Sequence, residues 1–385
     1  MAGRRPARDR ADYLEFVPAV RDPVEFADLS TRVATYLGDI EIPLFLDGPR
    51  FPLDASEVPY FEPSLVRDPG WVRDRPAGRG TTVIHRITPA TLYRALVSCH
   101  SSMIVDSRLH TLSELQYFRW RNASTWPTYR PVEVALEMLQ SIPNPNRRAF
   151  ILATGPSAQT VDLEAVDADI RIICNSAVRD MDQLLAFRPN VIACADPVFH
   201  FGPSRYAAAF RRDLVKAAEL LDAIVLCGAD WAGPMVGLQP ELRDRLAVIP
   251  YVRGGPLRWP TPRDPTVPPS SSVLTILMLP VALMLADDIS IAGADGRQPS
   301  ENYFWTHSSK LQYSDAMMQT VFDAHPAFFR DRDYEDFYET YCKELEALIR
   351  VGETAGKIVR GAAPSWIPAL QVRGAPTPSS VVVSR

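Results

Sequence analysis

The chain has 385 residues, with 41 basic and 46 acidic side chains and a formal charge of -5. That length predicts two or three domains with at least one substantial core, and the near balance of charge argues against nucleic acid as a partner. The composition, 46% hydrophobic, 9% aromatic and 23% charged, is that of an ordinary globular protein and excludes disorder except locally.

The longest apolar run, Val273 to Ala286, contains Pro280 and falls well short of the roughly 20 residues of a transmembrane segment. Met1 to Arg10 is Arg-rich with no apolar stretch behind it, so no secretory signal is expected and the expected location is cytoplasmic. Cys99, Cys174, Cys194, Cys227 and Cys342 lack any metal-binding spacing, and three of them end apolar runs, which predicts reduced core thiols. Cys99, His100 and His110 would make only a partial zinc site, lacking a fourth ligand.

In chain order, residues 1–88 mix prolines, charges and short apolar pieces such as Ile42 to Leu46, and no fold is assigned to them from pattern. From Pro89 to Ile142 the apolar spacing turns helical, at Leu92, Leu96 and Val97, then Leu112, Leu115 and Phe118, then Val134, Leu136 and Leu139. Residues 89–146 are therefore expected to form a helical lead-in, which makes the N-terminal region largely helical.

From Arg147 onward short apolar runs alternate with amphipathic stretches. The runs are Phe150 to Ala153, Ile170 to Cys174, Val191 to Cys194, Ile224 to Cys227, Val248 to Ile249 and Ile289 to Ala292. Helices are expected at Val178 to Ala186, Ser204 to Leu221, Ser271 to Ala286 and Tyr334 to Arg350. This alternation predicts a doubly wound, mostly parallel α/β domain over residues 147–370, followed by a flexible tail at 371–385.

Ligands of open α/β sheets bind at the carboxyl ends of the strands, so the residues after each run are the candidates. They are Thr154, Gly155, Pro156 and Ser157 after the first, Asn175 and Ser176 after the second, and Asp196 after the third. Gly228 and Asp230 follow the fourth, and Gly293, Ala294 and Asp295 the last. Gly155 permits a tight turn, Pro156 suits a first helical position, and the amides of Ser157 and Ala158 with the Ser157 hydroxyl then form a candidate anion or phosphate site. A plain helix N-terminus explains the tetrapeptide as well. It is neither a three-glycine dinucleotide fingerprint nor a P-loop.

Six segments in order carry a resemblance: FILATGPSAQTVDL, IRIICNSAV, VIACADPVFHFGPSRYAAAF, PSSSVLTILMLPVALMLADDISIAGAD, NYFWTHSS and GKIVRGAAPSWIPAL. Together, over residues 148–370, the chain resembles the bacterial sialyltransferases that decorate lipooligosaccharides. The resemblance implies a single Rossmann-like, GT-A-like nucleotide-binding domain with a lid at about 294–330. It implies transfer of sialic acid from CMP-sialic acid to a glycan or other hydroxyl acceptor, with no metal and no resident cofactor. It also suggests a homo-oligomer and at most a peripheral place at the membrane surface.

The family's Gly-Pro-Ser turn, which holds the nucleotide phosphate, maps onto Gly155, Pro156 and Ser157, and its nucleotide-contacting Asn onto Asn175. Its donor-binding hydroxyl cluster maps loosely onto Ser270, Ser271 and Ser272, for which an N-cap is the competing reading. The catalytic base maps onto His307, and a leaving-group tyrosine onto Tyr303. The second family tyrosine has no counterpart, and Arg297 is the candidate replacement as a fixed cation. Thr154 and Asp196 stand where the family commonly has Asn.

His200 is a candidate base with a packing role as the stronger reading, Arg205 and Tyr206 are candidate acceptor contacts, and the aromatic stripe of Tyr334 to Arg350 reads as core or oligomer contact. A Mg²⁺-dependent diphosphokinase of the pterin type, using Asp196, Asp230 and Asp295, and a catalytically inactive nucleotide-binding scaffold are the alternatives.

Overall fold

The computed structural model describes residues 11–37, 41–86, 88–91, 93, 103–105, 132–252, 254–297, 313–325 and 334–377. The chain divides into two compact units, each interleaved in sequence. One comprises Met1–Trp126, Pro197–Ala208 and Asp315–Asp331, and the other Pro127–Asp196, Ala209–Ser314 and Arg332–Arg385.

The first unit overturns the expectation of a largely helical N-terminal region. It holds β1 (Tyr13–Val17), α1 (Pro23–Leu37), β2 (Leu44–Leu46), β3 (Trp71–Val72), β4 (Gly80–Ile84) and β5 (Met103–Val105). The strands form a five-stranded sheet in the order β3-β2-β1-β4-β5, every pair parallel. α1 evades pattern reading because it is buried all round: every residue from Phe26 to Leu37 is buried, including Asp28, Ser30, Thr31, Arg32 and Thr35.

Three of its polar side chains have hydrogen bonds inside the unit, whereas the buried Thr31 Oγ1 has none among the described residues. Tyr60 donates its hydroxyl to Asp28 at 2.6 Å, Trp71 donates Nε1–H to Ser30 Oγ at 3.0 Å, and Thr35 donates to the Thr31 carbonyl at 2.8 Å. In β1 the buried Glu15 interrupts the apolar run and accepts from Arg75 at 3.0 Å.

The second unit is built on a seven-stranded sheet. Its strands are β6 (Arg148–Leu152), β7 (Ile170–Cys174), β8 (Val191–Cys194), β9 (Ile224–Gly228), β10 (Leu246–Ile249), β11 (Asp288–Ala292) and β12 (Ile358–Gly361). They lie in the order β10-β9-β8-β7-β6-β11-β12 with every pair parallel, Ile172 sitting opposite Ile151 on one side and Val191 on the other. The chain thus builds outward from β6 to β10 and then returns to lay β11 on the far side of β6. The strand order reverses between β6 and β11.

Burial on both faces explains why these strands read as continuous apolar runs. Arg171 interrupts β7, and its guanidinium donates to the carbonyls of Val166, Ala168 and Phe187. α2 (Val132–Gln140) packs Leu136 and Leu139 into the core, as the spacing predicted, with Ala135 buried beside them in place of the half-buried Val134. The first two segments of the expected lead-in fall outside the described residues.

The expected helix Ser271 to Ala286 is remodelled. A π-helical turn, Leu274–Met278, precedes the α-helical Leu279–Leu285, so the ladder widens just ahead of Pro280, which has no N–H to contribute. Leu277, Met278, Leu279, Val281, Ala282 and Leu283 are all buried there, each such large side chain contributing about 1.5–3 kcal/mol.

Two further boundaries differ from expectation. The helix Asp315–Ala324, within the expected lid, belongs to the first unit, while residues 298–312 lie outside the described ones. The expected tail is packed over 371–377: Ala375 is buried, and Arg373 pairs with Glu346 at 2.7 Å and Glu353 at 2.6 Å. Each of the two units holds one parallel sheet. Among the described residues no helix is long and apolar enough to cross a membrane.

Candidate functional site

The strand-order reversal brings together the loops that follow β6, β7 and β11, and the geometry there is specific. Gly155 N–H donates to the Gly293 carbonyl at 2.8 Å, and Ala153 N–H to the Ala292 carbonyl at 2.9 Å, so the two chains stay paired beyond the strands. Both glycines are required by close approach. A Cβ on Gly155 would lie 2.1 Å from Asp295 Oδ2, and one on Gly293, which has φ +70, would lie 2.3 Å from the Ala153 carbonyl oxygen.

The turn that follows, Pro156–Thr160, is a short 3-10 helix. Ser157 donates its N–H to Asp295 Oδ1 at 2.9 Å and its hydroxyl to Asp295 Oδ2 at 2.7 Å, and Ala158 N–H goes to the Gly155 carbonyl at 3.0 Å. This corrects the sequence expectation of a phosphate cradle. The donors at Ser157 and Ala158 are engaged within the protein, and the anion at Ser157 is the chain's own carboxylate. Burial pushes the Asp295 pKa up, while the two bonds from Ser157 act in the opposite direction.

Asp295 is fixed from its other side as well. Trp366 N–H donates to the Asp295 carbonyl at 2.6 Å and Ser365 Oγ to the Ala294 carbonyl at 2.7 Å. The segment after β12, conspicuous in the sequence only as a motif, therefore pins the β11 loop.

Asn175 stands directly after β7, next in the sheet to β6. It holds a left-handed backbone conformation, φ 50, and its side-chain Oδ1 is buried without a hydrogen-bond partner. Strain and an unsatisfied acceptor in one residue at the carboxyl edge mark a place built for something other than stability. Thr154 is buried beside the turn, and Asp196 is half-buried at the end of β8.

Arg297 does not stand free for a departing phosphate. It is 4% exposed, paired with Glu335 and stacked over the Tyr338 ring with 4.8 Å to the centroid. Tyr338 also accepts the Arg297 N–H at 3.2 Å and lies against Gly296, and burial pushes its pKa up to about 12. Sequence reading had assigned this tyrosine to a packing stripe. Its position beside Gly296, where a Cβ would stand 2.7 Å from its hydroxyl oxygen, is not legible in the sequence.

The serine run leads into the helix that follows and is held within the protein. Ser271 N–H and hydroxyl both go to Glu344, at 2.8 and 2.5 Å, Ser270 Oγ donates to Thr275 at 2.8 Å, and Ser272 Oγ shares a bond with Thr275 at 3.2 Å. Only Ser272 acts as a cap, its Oγ accepting the Thr275 N–H at 3.3 Å, while the Ser270 and Ser271 hydroxyls go to side chains.

His200 is buried at 1% exposure against Phe201 and belongs to the first unit, as do Arg205, bonded to the Phe61 carbonyl, and the buried Tyr206. His307 and Tyr303 lie outside the described residues, as does the side chain of Asp230. Cys174, Cys194 and Cys227 are free and buried, and burial pushes their thiols up, Cys174 to about 12, which makes them unreactive core residues. Among the described residues no group of three or more His, Cys, Asp or Glu side chains could hold a metal ion. No family model, no curated protein and no solved structure matches this chain.

Proposed function

We propose that the chain is an inverting glycosyltransferase of the sialyltransferase kind, taking CMP-sialic acid as donor and a sugar hydroxyl as acceptor. The observation that carries this reading is the reversal of strand order between β6 and β11. A Rossmann-like sheet that reverses its order there, with two glycine-lined loops and a strained Asn175 carrying an unsatisfied acceptor, has the features by which such sheets receive nucleotides.

Asn175 Oδ1 needs a hydrogen-bond donor, and the cytosine amino group or a ribose hydroxyl supplies one. His307, in the loop after β11, removes the acceptor proton as the acceptor oxygen attacks the anomeric carbon and CMP departs. Tyr303 donates a hydrogen bond to the leaving phosphate. Both roles come from the sialyltransferase resemblance. Arg297 is given no part in this step, because Glu335 and Tyr338 already hold it.

Thermal-shift measurements with CMP, UDP, GDP and ATP, each with and without Mg²⁺, test the donor class: CMP should raise the melting temperature with or without Mg²⁺. His307→Ala should lower transfer from CMP-sialic acid by about 10²–10⁴-fold with the CMP shift unchanged. Unaltered turnover in that variant, or stabilisation by the other nucleotides and not by CMP, overturns the reading.

A further inference from the structure

The donors of the turn after β6 are already committed. The N–H groups of Ala153, Gly155, Ser157 and Ala158 and the Ser157 hydroxyl are all engaged within the protein, and Pro156 has none to offer. What stays available at that turn is acceptor capacity. Each Asp295 oxygen accepts one bond from Ser157 and retains a second lone pair, and Asn175 Oδ1 is buried with no donor at all. A phosphate brings negative charge and further acceptors, which Asp295 repels. A polyol brings hydroxyl donors, which two carboxylate oxygens accept side by side.

The carboxylate is also built into place rather than merely present. Gly155 leaves the volume it occupies, 2.1 Å from where a Cβ would stand, and Ser157 fixes its orientation with two bonds while Trp366 and Ser365 hold its backbone.

We infer that Asp295 is a specificity-determining residue that receives a vicinal diol, the ribose 2′,3′-hydroxyls of the nucleoside, and that the Gly155–Ser157 turn excludes phosphate instead of binding it. This rests on the nucleotide-donor reading above and reverses the orientation which that reading would otherwise take at the turn. The phosphate then lies away from Ser157, and the sugar of the nucleoside lies over Asp295.

Calorimetric titration of the full chain tests it with cytidine, uridine, adenosine and guanosine, their 5′-monophosphates and 2′,3′-dideoxycytidine. Each is measured against the parent chain, Asp295→Asn and Ser157→Ala, with thermal melts confirming that the variants fold. Loss of charge-assisted bonds predicts that 2′,3′-dideoxycytidine binds at least tenfold more weakly than cytidine and that Asp295→Asn erases this difference. Any gain from the monophosphate should survive in Ser157→Ala.

Equal binding of cytidine and its dideoxy analogue, or a phosphate advantage that disappears in Ser157→Ala, overturns the inference while leaving the nucleotide reading standing. Diol- and Asp295-dependent binding of a purine nucleoside with no response to cytidine keeps the inference and removes the CMP donor. No binding by any of these probes removes both.

Discussion

Replacing Gly155 by alanine isolates the central contact between the loops after β6 and β11. The glycine has φ -68 and ψ 159, a conformation any residue adopts, so the substitution carries no backbone penalty and its whole effect is steric. The new methyl carbon would stand 2.1 Å from Asp295 Oδ2 and 2.6 Å from the Gly293 carbonyl oxygen. The carboxylate can rotate away, but only by giving up the bonds from Ser157 at 2.9 and 2.7 Å. A hydrogen bond to a charged group contributes about 1.5–3 kcal/mol, and water recovers part of that for a carboxylate not fully enclosed.

The carbonyl of Gly293 has less freedom, because it accepts the Gly155 N–H itself at 2.8 Å. Together these give an expected loss of about 2–4 kcal/mol, the upper part of the range for overpacking. Urea unfolding of the two single variants and the double variant supplies the number. In the Asp295→Ala background the same alanine should lose about 1–2 kcal/mol less, since only the carbonyl contact is left to relieve. A Gly155→Ala change below about 0.5 kcal/mol, or strict additivity of the two substitutions, refutes the proposed wedge of Asp295 against the turn.

Three further outcomes are expected. Asn175→Gly relieves a left-handed backbone and removes a buried unsatisfied oxygen, so stability should be unchanged or rise by up to about 1 kcal/mol, while CMP affinity measured by calorimetry falls at least tenfold. The Asp287 carboxyl is held down to about 2, first by Arg147 and then by Lys357. A depressed carboxyl pKa means stability that is present above the ordinary value of 3.8 and lost as pH falls toward 2. With half of its side chain exposed, screening limits the effect to under about 1 kcal/mol, so Asp287→Asn should show a small deficit at pH 7 that vanishes at pH 2.

His325 is 1% exposed with neither ring nitrogen bonded, and burial and then Arg32 push its pKa well below 6.5. The folded form stays neutral where the unfolded one takes a proton, so stability should decline as pH drops below about 6.5. His325→Leu should reduce that slope in pH-dependent urea melts without destabilising the protein at pH 8, because it removes two unsatisfied buried atoms.

The two sheets were unequally legible. In the second unit the pattern located β7 and β8 at their observed bounds, since strands buried on both faces have no solvent side to break the apolar run. β12 escaped notice because its apolar part is only Ile358 and Val359 and its strand lies at the sheet edge, with Ile358 exposed. In the first unit the signals were masked by polarity. Glu15 interrupts β1, and α1 buries five polar side chains on every face, so neither a two-residue nor a helical period stands out. The prolines and charges of residues 1–88 then leave no pattern to assign, although the chain threads a parallel sheet through the stretch.

The site was divided in the same way. Local chemistry sufficed to nominate Gly155, Ser157, Asn175, Gly293 and Asp295, because small and polar residues after apolar runs are what a carboxyl edge needs. It was also sufficient to offer a cap as one role for the serine run at 270–272, since the hydroxyls and Thr275 are near neighbours in the chain. Which partner each group takes was beyond it. Ser157 meets Asp295 across 138 positions, and Arg297 meets Glu335 and Tyr338 across 38 and 41. Those meetings depend on β11 returning to the side of β6 and on the helix Tyr334–Thr354 that follows it, a matter of strand order and not of neighbouring residues. Periodicity and turn chemistry act within a few residues of one another and so survive in the linear chain. The choice between a carboxylate and a phosphate at Ser157 is made by a contact between distant loops, and only the folded sheet decides it.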